Sequence, residues 1–151
     1  MSAAPPVLTE LKLSEEMKKA VGTAFERLKP VVISYIENDA PKLSFRGSTQ
    51  AYSDTALAIW VRNSPALMLD AIKKNAAVSL IYGDFRADGR DFMVFRGKAR
   101  IDAGESVRKR VYESAPAFER SQDKDRQGHA VIIDLDSVDG FFGGALLKMK
   151  R

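Results

Sequence analysis

Three consecutive residues, Arg62, Asn63 and Ser64, have the types and the position to hold an anion. They follow an apolar run, Leu57 to Val61, and precede Pro65. A serine side chain accepts from the orphan amides of a helix's first turn, and proline at the first helical position loses no hydrogen bond. A cation at a strand end, beside those free amides, suits a phosphate or a carboxylate. The same residues would also serve as a plain N-cap and a surface ion pair; the anion clamp is the favoured reading. A second set, Arg46, Ser48 and Gln50, repeats polar groups on one side of a strand that should be half buried. Ligand contact and a solvated face explain that set equally well. Trp60, with the small Ala58 two residues away, either borders a planar ligand or fills core.

Composition removes other chemistry. The 151 residues contain no cysteine and one histidine, His129. That leaves no disulfide framework, thiolate site or thiol nucleophile, and no histidine-based triad or metal cluster within one chain. His129 opens a strand and reads as structural or as part of an interface. No paired general acid and base is visible. The net charge of +4 is spread along the chain and reads as solvated surface with a bias toward anionic ligands. Aromatics are not interleaved with Lys and Arg on one strand face, which argues against nucleic acid. Arg108, Lys109 and Arg110 read as a solvated helix face. No apolar run approaches the roughly 20 residues that span a bilayer, and the first residues lack a basic segment followed by an apolar one. The expectation is a cytoplasmic protein with no membrane partner.

The length suits one domain over residues 1–151, with 1–12 as an N-terminal arm whose Leu8 and Leu11, with Leu13 beyond, could dock on a neighbour. Ser14 caps a helix through Leu28, with Met17, Val21, Ala24 and Leu28 on one stripe. Val31 to Ile36 is apolar on both faces, so it belongs inside a sheet. Residues 37–41 turn the chain, and Lys42 to Ser53 alternates as one long strand bent at Gly47. Leu57 to Val61 is the next strand. The central helix runs from the Ser64-Pro65 start to about Asn75; Lys73 and Lys74 lie about 12 Å from that start at 1.5 Å per residue, as partners of the helix dipole. Val78 to Tyr82, an Asp88-Gly89 turn and Asp91 to Ile101 form a hairpin. Asp102 caps a helix through Ser114, divided by Pro116 from a piece ending at Arg120. His129 to Leu135 is the last clear strand, and Phe141 to Gly144 lead to a basic tail. Local turns between antiparallel strands give a mainly β protein, a β-barrel decorated with helices.

Three segments carry a more specific pattern. Ser34 sits in an opening strand followed by an acidic turn, Pro41 and a second strand. Ile72, Asn75 and Val78-Ser79-Leu80 join a helix to a strand, and Gly97 with Ala99 closes a long returning strand. From about Val31 to Asp139 this order resembles the pyridoxamine 5′-phosphate oxidase-like family of FMN-binding split barrels. In that family the second segment usually reads Ile, Asn-Pro, Val-Ser-Leu, and the third Gly-x-Ala. The resemblance implies an antiparallel split β-barrel, a homodimer, and FMN at the interface with its phosphate near the start of the central helix. It also implies a flavin-dependent oxidoreductase acting on a small molecule, whose hydride chemistry belongs to the cofactor and needs no acid-base pair. Arg46, Ser48, Gln50, Trp60, Arg62, Asn63 and Ser64 become the candidate cofactor contacts. A deazaflavin or a haem are alternatives to FMN.

The sequence departs from the family at two places. Ala66, Leu67 and Met68 stand where the family has its phosphate-binding Ser-Arg-Lys, so Arg62 and Ser64 would have to replace those groups. In Val111 to Pro116, VYESAP, Ala115 stands where true pyridoxamine phosphate oxidases hold the substrate phosphate with Arg, so that substrate is not expected. Met68 also motivates the rival reading, a flavin-free split-barrel dimer acting as a binding or interaction protein. The dimer itself is argued from strand 31–36 and from Phe92, Phe95, Phe141 and Phe142, more apolar surface than one small barrel covers.

Overall fold

β-branched and aromatic residues at a period of two dominate the chain between its turns, and strands form there. A computed structural model describes residues 3–62 and 67–151. Its elements are β1 (Val7–Glu10), α1 (Glu15–Gly22), β2 (Val31–Glu37), β3 (Ala40–Arg46), β4 (Gln50–Ser53) and β5 (Ala56–Val61). They continue as α2 (Leu67–Lys74), β6 (Ala77–Arg86), β7 (Gly89–Asp102), α3 (Glu105–Ser114), α4 (Ala117–Ser121), β8 (His129–Phe142) and β9 (Ala145–Lys150).

The sheet runs β1-β9-β8-β7-β6-β2-β3, with β5 on β8 and β4 on β5 as a branch. β8 makes the branch possible. Residues 129–134 pair with β5, residues 137–142 pair with β9, and β7 runs along its other side. Among the described residues no ladder joins β3 to β4. The sheet therefore curls around its core as a split barrel and is not closed.

All six residues of β5 are buried, three toward each of two cores. Leu57, Ile59 and Val61 face the main core with Ile33, Leu80, Met93, Phe95, Ile133 and Leu135. Each such aliphatic side chain contributes about 1.5–3 kcal/mol on leaving water. Ala56, Ala58 and Trp60 face the other way, into a smaller core with Val111, Tyr112, Ala130 and Ile132 beneath α3.

Gly97 explains the Gly-x-Ala of the returning strand. At the irregularity between Arg96 and Gly97, β7 approaches β8 so closely that a Cβ on residue 97 would overlap the Asp134 carbonyl. Ala99 is buried two pairs further on.

Several expectations give way. The N-terminal arm contains a strand, because β1 adds parallel to β9, and Leu11 and Leu13 enter the chain's own core. The ladder is thus not wholly antiparallel. α1 stops at Gly22, and Leu28, placed on its apolar stripe by spacing, has φ 63° and is 88% exposed. The long strand 42–53 is two strands, with a turn at 47–49. The stretch after Phe142 is no loose tail: Gly143 and Gly144, both at positive φ, turn the chain into β9. The Asp102 carboxylate accepts from Gly104 N at 2.9 Å, so α3 starts two residues later than that cap would place it.

Candidate functional site

The turn between β3 and β4 brings most of the candidate residues together. Arg46 ends β3; its carbonyl accepts from Thr49 N at 3.2 Å and Thr49 Oγ1 at 2.7 Å, which closes the turn. Ser48 Oγ then accepts from Trp60 N at 2.9 Å and donates to the Trp60 carbonyl at 3.0 Å. The backbone ladder between β4 and β5 reaches only Gln50 and Ala58. The Ser48 hydroxyl extends that pairing by side chain and fixes the Arg46 turn beside the end of β5, where Arg62 follows. Gln50 Nε2 donates to the Val111 carbonyl at 3.0 Å and the Ser48 carbonyl at 3.3 Å, tying the turn to α3. Ser48 and Gln50 are both buried and spend these groups inside the protein.

Trp60 is held in the same way. It is 4% exposed, meets Tyr112 edge-on at 5.2 Å and lies under the Arg108 guanidinium at 5.4 Å. Its Nε1 donates to Asp123 Oδ2 at 2.9 Å. The described structure places Trp60 in the second core.

The two arginines remain as candidate ligand groups. Arg46 is half-buried, and its Nε has no hydrogen-bond partner among the described residues. Burial pushes its guanidinium below the ordinary arginine value; Tyr35 and Glu119 oppose this shift, and nearby Arg62 adds to it. The group stays protonated, as arginine does in proteins. An orphaned buried N–H beside a second guanidinium is a cost that an anion would offset, because charge-assisted hydrogen bonds to phosphate or carboxylate are strong ones. Arg62 is exposed at the end of β5. Asn63 and Ser64, like Ala66, lie outside the described residues.

Met68 is 2% exposed and belongs to the main core, so this position offers no group to a ligand. Ala115 is 5% exposed. Lys73 and Lys74 occupy the last turn of α2.

Sequence reasoning missed the far wall of this site. A Cβ on Gly47 would lie 2.5 Å from Glu119 Oε1 and 2.7 Å from the Phe25 ring, so a carboxylate from α4 and a ring from the segment after α1 both press on the turn. Phe25 stacks on Phe118 at 5.8 Å. Gly47 itself was the available signal: glycine inside a strand marks close approach of another group. Glu119 had none, since its partner is more than seventy residues away.

Neither a protein-family model nor a curated protein matches the sequence. Solved structures do match in shape. HupZ of Group A Streptococcus superposes with a TM-score of 0.64 at 13% identity, covering 88% of this chain and 97% of its own. An FMN-binding protein from Syntrophomonas wolfei gives 0.62 at 6% identity, covering 83% and 86%. A protein of the pyridoxinephosphate oxidase family from Clostridium acetobutylicum, related to general stress protein 26, gives 0.61 at 12% identity, covering 91% and 96%. The chain shares their fold. It has the split-barrel architecture of pyridoxamine 5′-phosphate oxidase-like and FMN-binding proteins, and at these identities the likeness is one of architecture.

Proposed function

We propose that the chain is an FMN-binding oxidoreductase whose flavin phosphate is held between Arg46 and Arg62. The observation that carries this reading is the buried, unpartnered Arg46 Nε, with Arg62 near enough to act on the same guanidinium, on a fold shared with an FMN-binding protein. A phosphate monoester brings about −1.5 to −2 charges and several acceptor oxygens, which matches two cations and an unused donor. Asn63 and Ser64 are proposed as further contacts of the same phosphate. Ser48 and Gln50 act one step behind, holding the Arg46 turn against β5 and α3. When bound, the flavin supplies the hydride-transfer chemistry. A deazaflavin phosphate would satisfy the same two arginines; a haem would present carboxylates instead.

Pyridoxamine phosphate is not the substrate in this reading. Ala115 is buried and carries no donor, so the cation that would grip a substrate phosphate is missing.

The flavin site is completed by a second copy of the chain. Phe45, Val32, Ile81 and Val94 form one row across β3, β2, β6 and β7 on the outer sheet face. Phe45 is 71% and Ile81 47% exposed, and neighbouring Leu43 is 76% exposed. Such a contiguous apolar face on a small domain is interface surface. Phe92 and Phe141, paired across β7 and β8, extend it, whereas Phe95 is fully buried in the chain's own core and Phe142 packs against that core.

The second reading is a flavin-free dimer serving as a binding or interaction protein. Met68, buried where the resemblance puts a phosphate-binding lysine, favours it. An absorption spectrum of the purified protein with added FMN separates the two. Retained flavin bands support the oxidoreductase, and a colourless protein that ignores FMN supports the binding dimer.

A further inference from the structure

Between α3 and the loop before β8 lies a cavity of about 160 Å³, lined by Trp60, Glu105, Arg108, Lys109 and Arg126. That is the liquid volume of about five waters, room for one tetrahedral oxyanion. The lining cations come from two elements, and two of them are fixed in place. Arg108 Nη2 donates to the Arg126 carbonyl at 2.7 Å and the Gly128 carbonyl at 3.0 Å, and its guanidinium lies 5.4 Å from the Trp60 ring centroid. Its Nε and Nη1 make no hydrogen bond among the described residues. Arg126 N donates to the Asp123 carbonyl at 3.1 Å, and the Arg126 guanidinium lies 4.7 Å from the Tyr112 centroid. Lys109 makes no ion pair among the described residues. Arg110, the third cation of this run, is spent elsewhere, 4.2 Å over the Tyr52 ring.

The nearby acids leave this charge largely uncompensated. Asp123 uses its carboxylate on Trp60 Nε1, Gln127 N and Gly128 N, and Glu113 reaches Arg126 only at 3.8 Å. Glu105 is the one carboxylate on the lining, set against three cations. We infer that this cavity binds a phosphate group, with Arg108, Lys109 and Arg126 as its ligands. A phosphate monoester brings about −1.5 to −2 charges, which matches the surplus on the lining. Its oxygens accept from the unspent guanidinium donors in the geometry that arginine favours. The site uses none of the groups proposed for the flavin phosphate, so it stands or falls apart from that reading.

Trp60 is the only tryptophan and lines the cavity, so its emission reports occupancy. The test is a titration with inorganic phosphate, glycerol phosphate and acetate at constant ionic strength, followed by Trp60 emission and by calorimetry. A phosphate should half-saturate the emission change at about 1 mM, with acetate about fivefold weaker for its lower charge. The tighter phosphate identifies the source, a free ion or a small phosphate ester. Lys109→Gln removes a side chain with no ion pair in the fold and should weaken phosphate about three- to fivefold. Arg108→Gln should cost about tenfold or more; where it loosens the loop, Lys109→Gln decides. Lys98→Gln, an exposed lysine of β7, should change nothing. Acetate binding as tightly as phosphate, or no response up to about 10 mM phosphate, overturns the inference. So does heat without an emission change, or an unchanged affinity in Lys109→Gln, since the phosphate then sits elsewhere.

Discussion

Asp123 satisfies three donors at once: Trp60 Nε1 at 2.9 Å, Gly128 N at 2.8 Å and Gln127 N at 3.0 Å. Burial works to raise its pKa, but these hydrogen bonds and the charge of Arg108 outweigh it and hold the carboxyl below the ordinary aspartate value. A carboxyl with a lower pKa in the folded chain stabilises the fold fully above the unfolded value of about 3.9, and that contribution is lost as pH falls through the folded value. Since Trp60 is the only tryptophan, its fluorescence reads this bond directly. In acid titration of wild type, the change in Trp60 emission should fall below about pH 3.9. Asp123→Ala should cost about 1–3 kcal/mol at neutral pH, because two part-buried donors, Trp60 Nε1 and Gly128 N, lose their acceptor. Equal urea midpoints for the two proteins at neutral pH would show that Asp123 is only a surface group. At this scale the candidate groups were visible in residue types, since an arginine at a strand end and polar residues in a buried stretch are unusual. What each polar group bonds to was not visible. Ser48 and Gln50 were candidates for a ligand, and their partners, Trp60 and Val111, lie on elements that only folding brings near.

Elements with local causes were the ones legible in advance. The hairpin turn at Asn38 and Asp39, both at positive φ, and the Asp88-Gly89 turn are written in residues that tolerate that conformation. The strand at 56–61, the short helix after Pro116 and the helix ending at Lys74 likewise follow from adjacent residues. Where the cause is distant, the reading failed. The alternation from Lys42 to Ser53 is genuine, but Phe25 and Glu119 press on Gly47 and break the strand there. β1 and β9 are strands because each lies against the other and β9 lies against β8, and no property of either segment alone announces that. Gly97 gives the sharpest test at this scale. Gly97→Ala must push β7 off the β8 backbone, and such overpacking costs about 1–3 kcal/mol. Thermal or urea denaturation checks it. A Gly97→Ala chain as stable as wild type would mean that β7 and β8 do not approach as closely as described.

As a whole, the molecule exposes an apolar row on one sheet face and carries Arg46 at the end of β3 and Arg62 just past the end of β5, where the anion site is proposed. The second copy proposed above covers the first. Phe45→Glu places a charge at the β3 end of that row, at a position already 71% exposed, so a lone chain should lose little stability, within about 0.5 kcal/mol. Light scattering should show the wild type as a dimer at micromolar concentration and Phe45→Glu shifted to monomer. A monomeric wild type would contradict the interface. The fold as a whole was legible through a resemblance spread over three short patterns, two of which the structure explains physically: Gly97 by its approach to β8, and the apolar strand β2 by its place between β3 and β6. The proposed anion site was legible only in outline, because the groups that act on Arg46, namely Tyr35, Glu119 and Arg62, come from separate elements.

That site carries the central claim, and a flavin-fluorescence titration of wild type and Arg62→Ala tests it most directly. Removing one guanidinium from the phosphate should weaken FMN binding by about 1.5–3 kcal/mol, a loss of roughly tenfold to a hundredfold. Lys73→Ala and Lys74→Ala, at the far end of α2, should bind as wild type does. If the lysine variants lose FMN while Arg62→Ala keeps it, the phosphate sits elsewhere and the arginine pair is not the flavin site.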